Sequence, residues 1–128
     1  MLPKLTICIP TYDRAWAIGE ALESVISQAT DEIEIVVSDN ASTDNMPEVI
    51  AAFQQRFPRL HYFQSEQNVG CDPNGVRVVE LASVEYCWSL GSDDQAEPGA
   101  IAAILKAIDA YPAWGGLSLR YVESIHDQ

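Results

Sequence analysis

Two adjacent carboxylates, Asp93 and Asp94, follow Gly91 and Ser92 at the end of an apolar segment of the chain. Neighbouring carboxylates repel each other unless a cation or hydrogen-bond donors compensate their charge. A hard divalent cation such as Mg²⁺ is often bound by one or two carboxylates, with phosphate oxygens in its remaining positions. The pair therefore fits a cation that neutralises the diphosphate of a leaving nucleotide. The alternative is a solvated turn in which one Asp caps the next helix.

Two further polar groups follow apolar segments in the same way. The Asp39 carboxylate can accept a hydrogen bond from a uracil imide or a ribose hydroxyl, or it can form an Asx-turn or helix cap. Tyr12 can stack on a planar base and hydrogen-bond through its hydroxyl. The alternative for this segment is that Tyr12 packs on the next helix while Thr11 and Asp13 cap that helix.

The hydrophobic pattern indicates strands that alternate with helices. Short β-branched or apolar runs predict strands at 5–9, 33–37, 60–63, 84–90 and 117–122. Apolar residues at helical spacing predict helices over about 14–28, from Pro47, over 73–81 and from Pro98. Such alternation predicts right-handed crossovers and a mostly parallel central sheet with helices on both faces, which is a three-layer α/β sandwich.

The order of elements places the polar groups together. In open parallel sheets ligands bind outside the carboxyl ends of the strands. The segments 10–14, 38–44 and 91–94 each follow a predicted strand at that end. They are therefore predicted to form a single site.

The bulk composition restricts the class of protein. The chain has 128 residues and 48% hydrophobic composition, which predicts a single domain spanning 1–128. Its formal net charge of -12 disfavours nucleic acid and anionic lipid as partners. It has no apolar run of about 18–20 residues, so no transmembrane segment is expected, and its start does not resemble a signal peptide. The three cysteines fit small buried residues in a reducing, cytoplasmic setting.

Other common chemistries find no support in the sequence. There is no Walker-type phosphate loop, and no G-x-G-x-x-G follows the first strand, so neither a P-loop NTPase nor an ordinary dinucleotide fold is indicated. The two histidines are far apart and lack metal-ligand spacing, which argues against zinc. Ser38 and Ser89 have no evident histidine partner for a nucleophilic triad.

Four spaced motifs together resemble the family 2 glycosyltransferases, which have the Rossmann-like GT-A fold. They are Ile-Pro-Thr-Tyr-Asp-Arg at 9–14, Glu-Ile-Val-Val-Ser-Asp-Asn-Ala-Ser-Thr-Asp at 34–44, Asn-Val-Gly at 68–70 and Gly-Ser-Asp-Asp at 91–94. The resemblance covers roughly residues 4 to 110. A combination of four motifs in order is much more specific than any one of them.

The resemblance implies an inverting glycosyltransferase with a nucleotide-diphosphate-sugar donor, UDP-sugar being favoured, and with Mg²⁺ or Mn²⁺ as cofactor. It implies that Tyr12 stacks on the base, that Asp39 contacts the base and that Thr11 adds a backbone or hydroxyl contact. It implies that Asp93 lies near the ribose or sugar and that Asp94 ligates the metal. Bacterial surface polysaccharide synthesis is a plausible setting for this family.

The sequence departs from the family pattern at three positions. Ser38 replaces the first of two acids in the second motif, and Asp13 stands where Asn is frequent. The acidic motif is Ser-Asp-Asp rather than a spaced Asp-x-Asp, which leaves the metal ligand open between Asp93 and Asp94.

The length of the chain adds a further expectation. Complete GT-A domains of this kind are typically much longer, so the chain is expected to be a truncated, N-terminal nucleotide-sugar-binding portion. The acceptor site and the catalytic base are expected to be absent, and an exposed sheet edge is expected to favour self-association. Three alternatives stay open: a non-catalytic nucleotide-binding module, an α/β interaction scaffold, and a nucleotidyltransferase, which would normally carry a Gly-rich basic loop after the first strand.

Overall fold

Strands and helices alternate along the whole of the described chain. The computed structural model describes residues 3–82 and 86–110. The elements are β1 (Leu5–Thr11), α1 (Ala15–Ile26), β2 (Ile33–Asp39), α2 (Met46–Arg56), β3 (Leu60–Gln64), α3 (Cys71–Glu80), β4 (Tyr86–Ser89) and α4 (Ala100–Ala110). This order confirms the predicted alternation, although α4 begins two residues after Pro98. The strand predicted at 117–122 lies outside the described residues.

The sheet is parallel, and its strand order is β3-β2-β1-β4. From β1 the chain winds outward to β2 and β3, then crosses back to lay β4 on the other side of β1. The direction of winding therefore reverses between β1 and β4. At such a reversal the loops that follow the two strands diverge, and they leave a crevice at the carboxyl edge of the sheet.

Helices cover both faces of the sheet, as predicted. Alternate side chains of β1 and β2 pack against α1, α2 and α4 on one face of the sheet. Together, these strand and helix residues form the larger hydrophobic cluster. The intervening positions, Cys8 and Val36, pack against Val78 of α3 on the opposite face. Because side chains of a strand alternate between faces, burial on both sides explains why most residues of β1 and β2 are apolar. The buried Glu34 carboxylate accepts a hydrogen bond from the Thr6 hydroxyl at 2.7 Å. The result is the predicted three-layer α/β sandwich.

One carboxylate caps two helices. Asp44 Oδ2 accepts a hydrogen bond from the Ala15 backbone N–H at 3.0 Å, and Asp44 Oδ1 accepts one from the Met46 N–H at 3.2 Å. Ala15 is the first residue of α1, and Met46 is the first residue of α2. The first N–H groups of a helix have no partner within the helix, so an acceptor here stabilises both helix starts. Asp44 thereby attaches the loop between β2 and α2 to the start of α1.

The alternative in which Thr11 and Asp13 cap α1 does not hold in the structure. No side-chain cap is formed by Arg14, the residue before α1. The Asp13 carboxylate instead accepts a hydrogen bond from the Thr43 N–H at 2.7 Å. The Thr11 side chain belongs to the end of β1 and is buried. Tertiary contacts between the loops therefore replace the local cap that the sequence pattern favours.

A polar contact fixes the segment between β4 and α4 to the C-terminal part of α1. The Ala96 N–H donates to Ser24 Oγ at 2.8 Å, and the Gln28 amide donates to the Glu97 carbonyl at 2.9 Å. Gln28 Oε1 also accepts from the Ile101 N–H at 3.3 Å. The chain that follows Asp93 and Asp94 is therefore held against α1 before α4 begins.

We expect Asp44→Ala to lower the free energy of unfolding by about 2 kcal/mol, since two helix-cap hydrogen bonds are lost at once. Urea denaturation of the variant and the parent chain measures this difference. Glu20→Ala is the matched control, because it removes one exposed acid of α1 and is expected to change stability by less than about 0.5 kcal/mol. Equal effects of the two substitutions would contradict the double-cap assignment.

Candidate functional site

A cleft of about 510 Å³ opens at the carboxyl edge of the sheet. All three predicted segments contribute to it, together with a fourth, the loop before α3. The lining residues are Pro10, Thr11, Tyr12, Arg14, Asn40, Asn68, Gly70, Gly91, Ser92 and Asp93. Of the five predicted site residues, Thr11, Tyr12 and Asp93 line this cleft. Asp39 and Asp94 lie beside it.

Tyr12 and Thr11 present different groups to the cleft. The Tyr12 side chain is 42% exposed, so its ring is available to a planar ligand rather than packed into the core. Thr11 is 3% exposed, and its hydroxyl has no hydrogen-bond partner among the described residues. A buried hydroxyl without a partner costs free energy, and native structures normally avoid it. The Thr11 hydroxyl therefore keeps an unused hydrogen-bonding capacity beside the cleft.

Asp39 is fully buried beneath the cleft, and protein donors surround its carboxylate. Oδ1 accepts from the Ser42 N–H at 2.9 Å and from the Ser42 hydroxyl. Oδ2 accepts from the Tyr62 hydroxyl and from the Gln64 amide, the latter at 3.2 Å. Burial and the bond to Asp39 raise the pKa of Tyr62, which keeps the phenol protonated as a donor. The Ser42 N–H is three residues beyond Asp39, so this bond spans one residue more than the Asx-turn considered above as an alternative.

The loops after β1 and β2 are held in an uncommon backbone conformation. Asp13 and Ala41 have φ angles of 48° and 64°, in the left-handed region that L-residues seldom occupy. The Asp13 N–H donates to Ser42 Oγ at 2.8 Å, which ties the two loops together. Asp tolerates this region better than most residues, whereas Ala is strained there. Such strain persists where surrounding contacts over-determine the backbone, and it clusters at functional sites.

Asn40 fastens the fourth loop to the end of β2, and its role was not foreseen from the sequence. Its side chain is buried; Nδ2 donates to Asn68 Oδ1 at 2.8 Å and to the Gly70 carbonyl at 3.2 Å. Its Oδ1 accepts from the Val69 N–H at 2.8 Å. The available signal was an Asn directly after a strand combined with the motif at 68–70, but their pairing depends on tertiary structure.

Ser38, the departure from the usual pair of acids, also has a defined partner. Its hydroxyl donates to Asn74 Oδ1 at 2.7 Å, and Asn74 Nδ2 donates to the Ser38 carbonyl at 2.9 Å. Both side chains are buried. This reciprocal pair attaches α3 to β2, so position 38 serves packing in this chain.

The acidic segment after β4 brings its two carboxylates close together over Gly91, where Asp93 Oδ1 lies 3.4 Å from the position that a Cβ atom would occupy. The Asp94 N–H donates to the Gly91 carbonyl at 3.0 Å and closes a tight turn. A Cβ atom at Gly91 would lie 2.5 Å from Asp94 Oδ2, so the Asp94 carboxylate folds over the glycine. Asp93 is exposed and lines the cleft. A side chain at position 91 would therefore make the Asp94 carboxylate move.

The two acids of the site fit a metal ion that is bound partly by the protein and partly by its ligand. Within residues 3–82 and 86–110, no group of three or more His, Cys, Asp or Glu side chains is arranged to hold a metal ion. A protein-only metal cage is therefore absent from that part of the chain. Mg²⁺ commonly needs one or two carboxylates, because substrate phosphates and water complete its shell. Asp93 and Asp94 are suited to that arrangement.

Arg14 brings a positive charge to the cleft. Its guanidinium carbon lies 5.9 Å from the centroid of the Trp16 ring, which is 76% exposed. A cation over an aromatic face is attracted by about 0.5–1 kcal/mol at exposed sites, so Trp16 restrains the Arg14 side chain. The cleft therefore combines a restrained cation with an acidic turn.

Two general predictions can be compared with the structure. No described helix is long and apolar enough to cross a membrane. Cys8 and Cys87 carry free thiols, and burial raises the pKa of both. Protonated thiols are poor nucleophiles and metal ligands, which agrees with their interpretation as small buried residues.

Comparison with known proteins decides the family. A family model described as "Glycosyl transferase family 2" matches residues 6–126, nearly the whole chain. The chain belongs to glycosyltransferase family 2.

Two named glycosyltransferases share about a third of their aligned residues with this chain and are much longer. Abequosyltransferase RfbV of Salmonella typhimurium is 37% identical over 110 residues, which cover 83% of this chain and 33% of that protein. The GalNAc(5)-diNAcBac-PP-undecaprenol beta-1,3-glucosyltransferase of Campylobacter jejuni is 33% identical over 113 residues, which cover 86% of this chain and 36% of that protein. The chain thus spans about a third of the length of these curated relatives.

Solved structures of glycosyltransferases share the fold. Residues 1–349 of S. aureus TarS in complex with UDP match with a TM-score of 0.76 and 27% identity, covering 85% of this chain and 33% of that one. Mannosyltransferase PcManGT from Pyrobaculum calidifontis, in complex with GDP-Man and Mn²⁺, matches with a TM-score of 0.73 and 24% identity, covering 84% of this chain and 33% of that one. The α/β architecture is therefore that of the GT-A glycosyltransferases, as the sequence motifs predicted.

We expect Asn40→Asp to detach the loop at 68–70. The substitution replaces the Nδ2 donor by an oxygen that faces two acceptors, and it buries a charge among them, which should cost about 3 kcal/mol of stability. Urea denaturation measures the loss. The control is Asn45→Asp, an identical change at an exposed position without a side-chain cap, where less than about 0.5 kcal/mol is expected. A small effect at position 40 would contradict the fastening role.

Proposed function

We propose that this chain is the nucleotide-sugar-binding, N-terminal portion of an inverting glycosyltransferase that depends on Mg²⁺ or Mn²⁺, with a UDP-sugar as the favoured donor. The observation that carries the proposal is the cleft itself. In a family 2 chain, it unites an exposed tyrosine ring, a buried unpaired hydroxyl and an acidic turn at the winding reversal of the sheet. S. aureus TarS, a structural neighbour, has been solved with UDP and with UDP-GlcNAc, which supports a nucleotide sugar as ligand.

The base binds, in this proposal, at the end of the cleft formed by the loops after β1 and β2. The Tyr12 ring stacks on the base, and the Thr11 hydroxyl gains the hydrogen-bond partner that it lacks within the described protein. Asp39 contacts the base after one of the protein groups that donate hydrogen bonds to its carboxylate moves away. Gln64 is the donor suited to yield, because its side chain is exposed and its bond is the longest that the carboxylate accepts, 3.2 Å.

The diphosphate and sugar lie, in the same proposal, toward the segment after β4. Asp93 approaches the ribose or sugar, and Asp94 ligates the divalent cation. The cation, when bound, neutralises the charge that develops on the leaving diphosphate. Arg14 supplies a second positive charge from the opposite wall of the cleft. Oxygens of both acids lie near Gly91, Asp94 Oδ2 at 2.5 Å and Asp93 Oδ1 at 3.4 Å from the position of a Cβ atom there, which favours a cation shared by the two acids.

The attack on the sugar is assigned to other parts of the family domain. An inverting transfer needs a base that activates the acceptor hydroxyl for in-line attack on the anomeric carbon. The curated relatives are about three times as long as the segment that they share with this chain, which leaves ample length for an acceptor site and its base. Bacterial surface polysaccharide synthesis and a cytoplasmic location are the setting that we propose. The described sheet ends in β3 on one side and in β4 on the other, and self-association through an exposed sheet edge is also proposed.

Metal-dependent nucleotide binding is the first expected outcome. Titration calorimetry with UDP should give binding that strengthens with Mn²⁺, and Asp94→Asn should weaken the Mn²⁺-dependent affinity by more than about tenfold, because a metal ligand is lost while shape is kept. Asp31→Asn is the matched control, since Asp31 is exposed and pairs only loosely with Arg59, at 3.6 Å. The same titration of Asp93→Asn assigns the ligand between the two acids.

The possible results separate the candidate functions. Binding that needs Mn²⁺ and fails in Asp94→Asn supports the donor site. Binding that is indifferent to the metal favours a nucleotide-binding module without a catalytic cation. No binding of UDP or GDP by the folded chain would contradict the proposal and favour an interaction scaffold.

Stacking on Tyr12 can be tested separately from hydrogen bonding. Tyr12→Ala should weaken UDP binding by about 1–3 kcal/mol, the usual contribution of a base that stacks on an aromatic ring. Tyr12→Phe keeps the ring and should change affinity by less than about 0.5 kcal/mol, because the ring face and not the hydroxyl carries the interaction. Equal losses in the two variants would mean that the hydroxyl is the contact and that stacking is absent.

A further inference from the structure

The acidic turn needs support on both sides, because it holds two like charges together. Asp93 and Asp94 are adjacent carboxylates in a chain of formal net charge -12, and such groups repel each other unless a cation or donors compensate them. Before the turn, β4 supplies the support, since the Leu90 N–H donates to the Cys8 carbonyl of β1 at 2.8 Å. After the turn, the next helix, α4, begins only at Ala100. The support on that side must therefore come from tertiary contacts.

Ser24 of α1 accepts a hydrogen bond from the segment that follows the turn. The Ala96 N–H donates to Ser24 Oγ at 2.8 Å, and the Ser24 hydroxyl donates to the Ala21 carbonyl at 2.7 Å. The second bond uses the hydroxyl proton, so a lone pair of the oxygen faces Ala96. Ala96 is 4% exposed, and without this hydroxyl its buried N–H would lose an acceptor. Ser24 therefore determines where the chain runs two residues after Asp94.

Gln28 holds the same segment with both ends of its amide. Nε2 donates to the Glu97 carbonyl at 2.9 Å and to the Ala96 carbonyl at 3.3 Å, while Oε1 accepts from the Ile101 N–H at 3.3 Å. A backbone N–H can only donate, so the oxygen end must face Ile101 and the donor end must face the two carbonyls. Ile101 lies in the first turn of α4, where backbone N–H groups lack partners within the helix. Gln28 thus attaches both the segment and the start of α4 to the end of α1.

Ser24 and Gln28 lie away from the cleft and are not part of its lining. Ser24 is about 14 Å along α1 from Ala15, at a rise of about 1.5 Å per residue. Ala96, in contrast, is separated from Asp94 by a single residue, so the Cα atoms of these two residues are at most about 7 Å apart. Any influence of Ser24 and Gln28 on a ligand in the cleft therefore passes through residues 94–96.

We propose that Ser24 and Gln28 are positioning residues, which hold the segment after the acidic turn so that Asp93 and Asp94 present their oxygens to one divalent cation. The inference rests on the proposed function, because it requires a cation at the turn. The oxygens of the two acids near Gly91 supply the geometry that this attachment maintains. Replacing residues that orient metal ligands commonly lowers metal affinity by about 10–100-fold.

Ser24→Ala tests the attachment without changing the charge or the lining of the cleft. Titration calorimetry with UDP and Mn²⁺ should show an affinity about tenfold lower than that of the parent chain, whereas the metal-free UDP affinities should agree within about twofold. Ser27→Ala is the matched control, because Ser27 is exposed at the end of the same helix and its hydroxyl bonds the Ser24 carbonyl, at 3.3 Å, rather than the segment after the turn. The control should bind like the parent in both titrations.

Two more variants separate positioning from a general loss of stability. Ser24→Thr keeps the hydroxyl and should restore most of the Mn²⁺-dependent affinity, and Gln28→Met removes the amide contacts at similar length and should lower that affinity as Ser24→Ala does. Equal losses with and without Mn²⁺ would overturn the proposal, because the whole chain would then be weakened. If the parent shows Mn²⁺-dependent binding and Ser24→Ala binds equally well, this inference alone fails. If the parent shows no such binding, the proposed function fails and this inference fails with it.

A second readout needs neither metal nor nucleotide. In ¹⁵N relaxation measurements on the metal-free chain, the Asp94 amide resonance should shift in Ser24→Ala, and its order parameter should fall from about 0.85 toward about 0.6. The Val37 amide of β2 should keep its value, and Ser27→Ala should change neither amide. An unchanged resonance and order parameter of Asp94 in Ser24→Ala would overturn the proposal.

Discussion

A carboxylate buried at the end of a central strand governs the architecture around the cleft. Moving an ionised group out of water costs several kcal/mol unless donors compensate it, so Asp39 can be tolerated only with its oxygens hydrogen-bonded. Ser42, Tyr62 and Gln64 provide those donors from the loop after β2 and from β3. To satisfy Asp39, the loop must turn sharply and β3 must extend to the level of the site. The conformation of the base end of the cleft follows from this requirement.

Hydrogen bonds between buried or partly buried polar groups also connect the remaining loops. Asp44 completes the starts of α1 and α2, and Ser42 links the loop after β2 to the backbone of Asp13. Asn40 carries the connection onward to the loop before α3. Most of these groups are partly or fully buried, so removal of one partner leaves another without compensation. The base end and the acidic turn are thus held by different hydrogen bonds. The segment that follows the acidic turn is attached to α1 through Ser24 and Gln28.

The sequence predicted the layers and the assembly of the loops well, because these depend on local periodicity and on the rule for parallel sheets. β1 and β2 are short apolar runs, and α1 has a clear apolar stripe, so their types were accessible from pattern alone. The cap of α1 was missed because Asp13 bonds Thr43 and the cap comes from Asp44, in the next loop. Asn40 and Asn68 were not connected beforehand, since no local pattern encodes a contact between two loops. The roles assigned to Thr11, Tyr12, Asp39, Asp93 and Asp94 stay predictions.

The position of β4 has a consequence for the order in which the cleft is built. β1 joins β2 through one crossover, but Tyr86 of β4 pairs with Leu5 of β1 across about 80 residues of chain. Closing a long loop costs entropy before the contact between its ends is made, so contacts between distant parts of a chain slow folding. The loops of the base end precede β4 along the chain, whereas the acidic turn reaches its place only when β4 pairs with β1. A chain in which β4 has not paired with β1 would have Tyr12, Asn40 and Asn68 at the cleft but would lack Asp93 and Asp94 there.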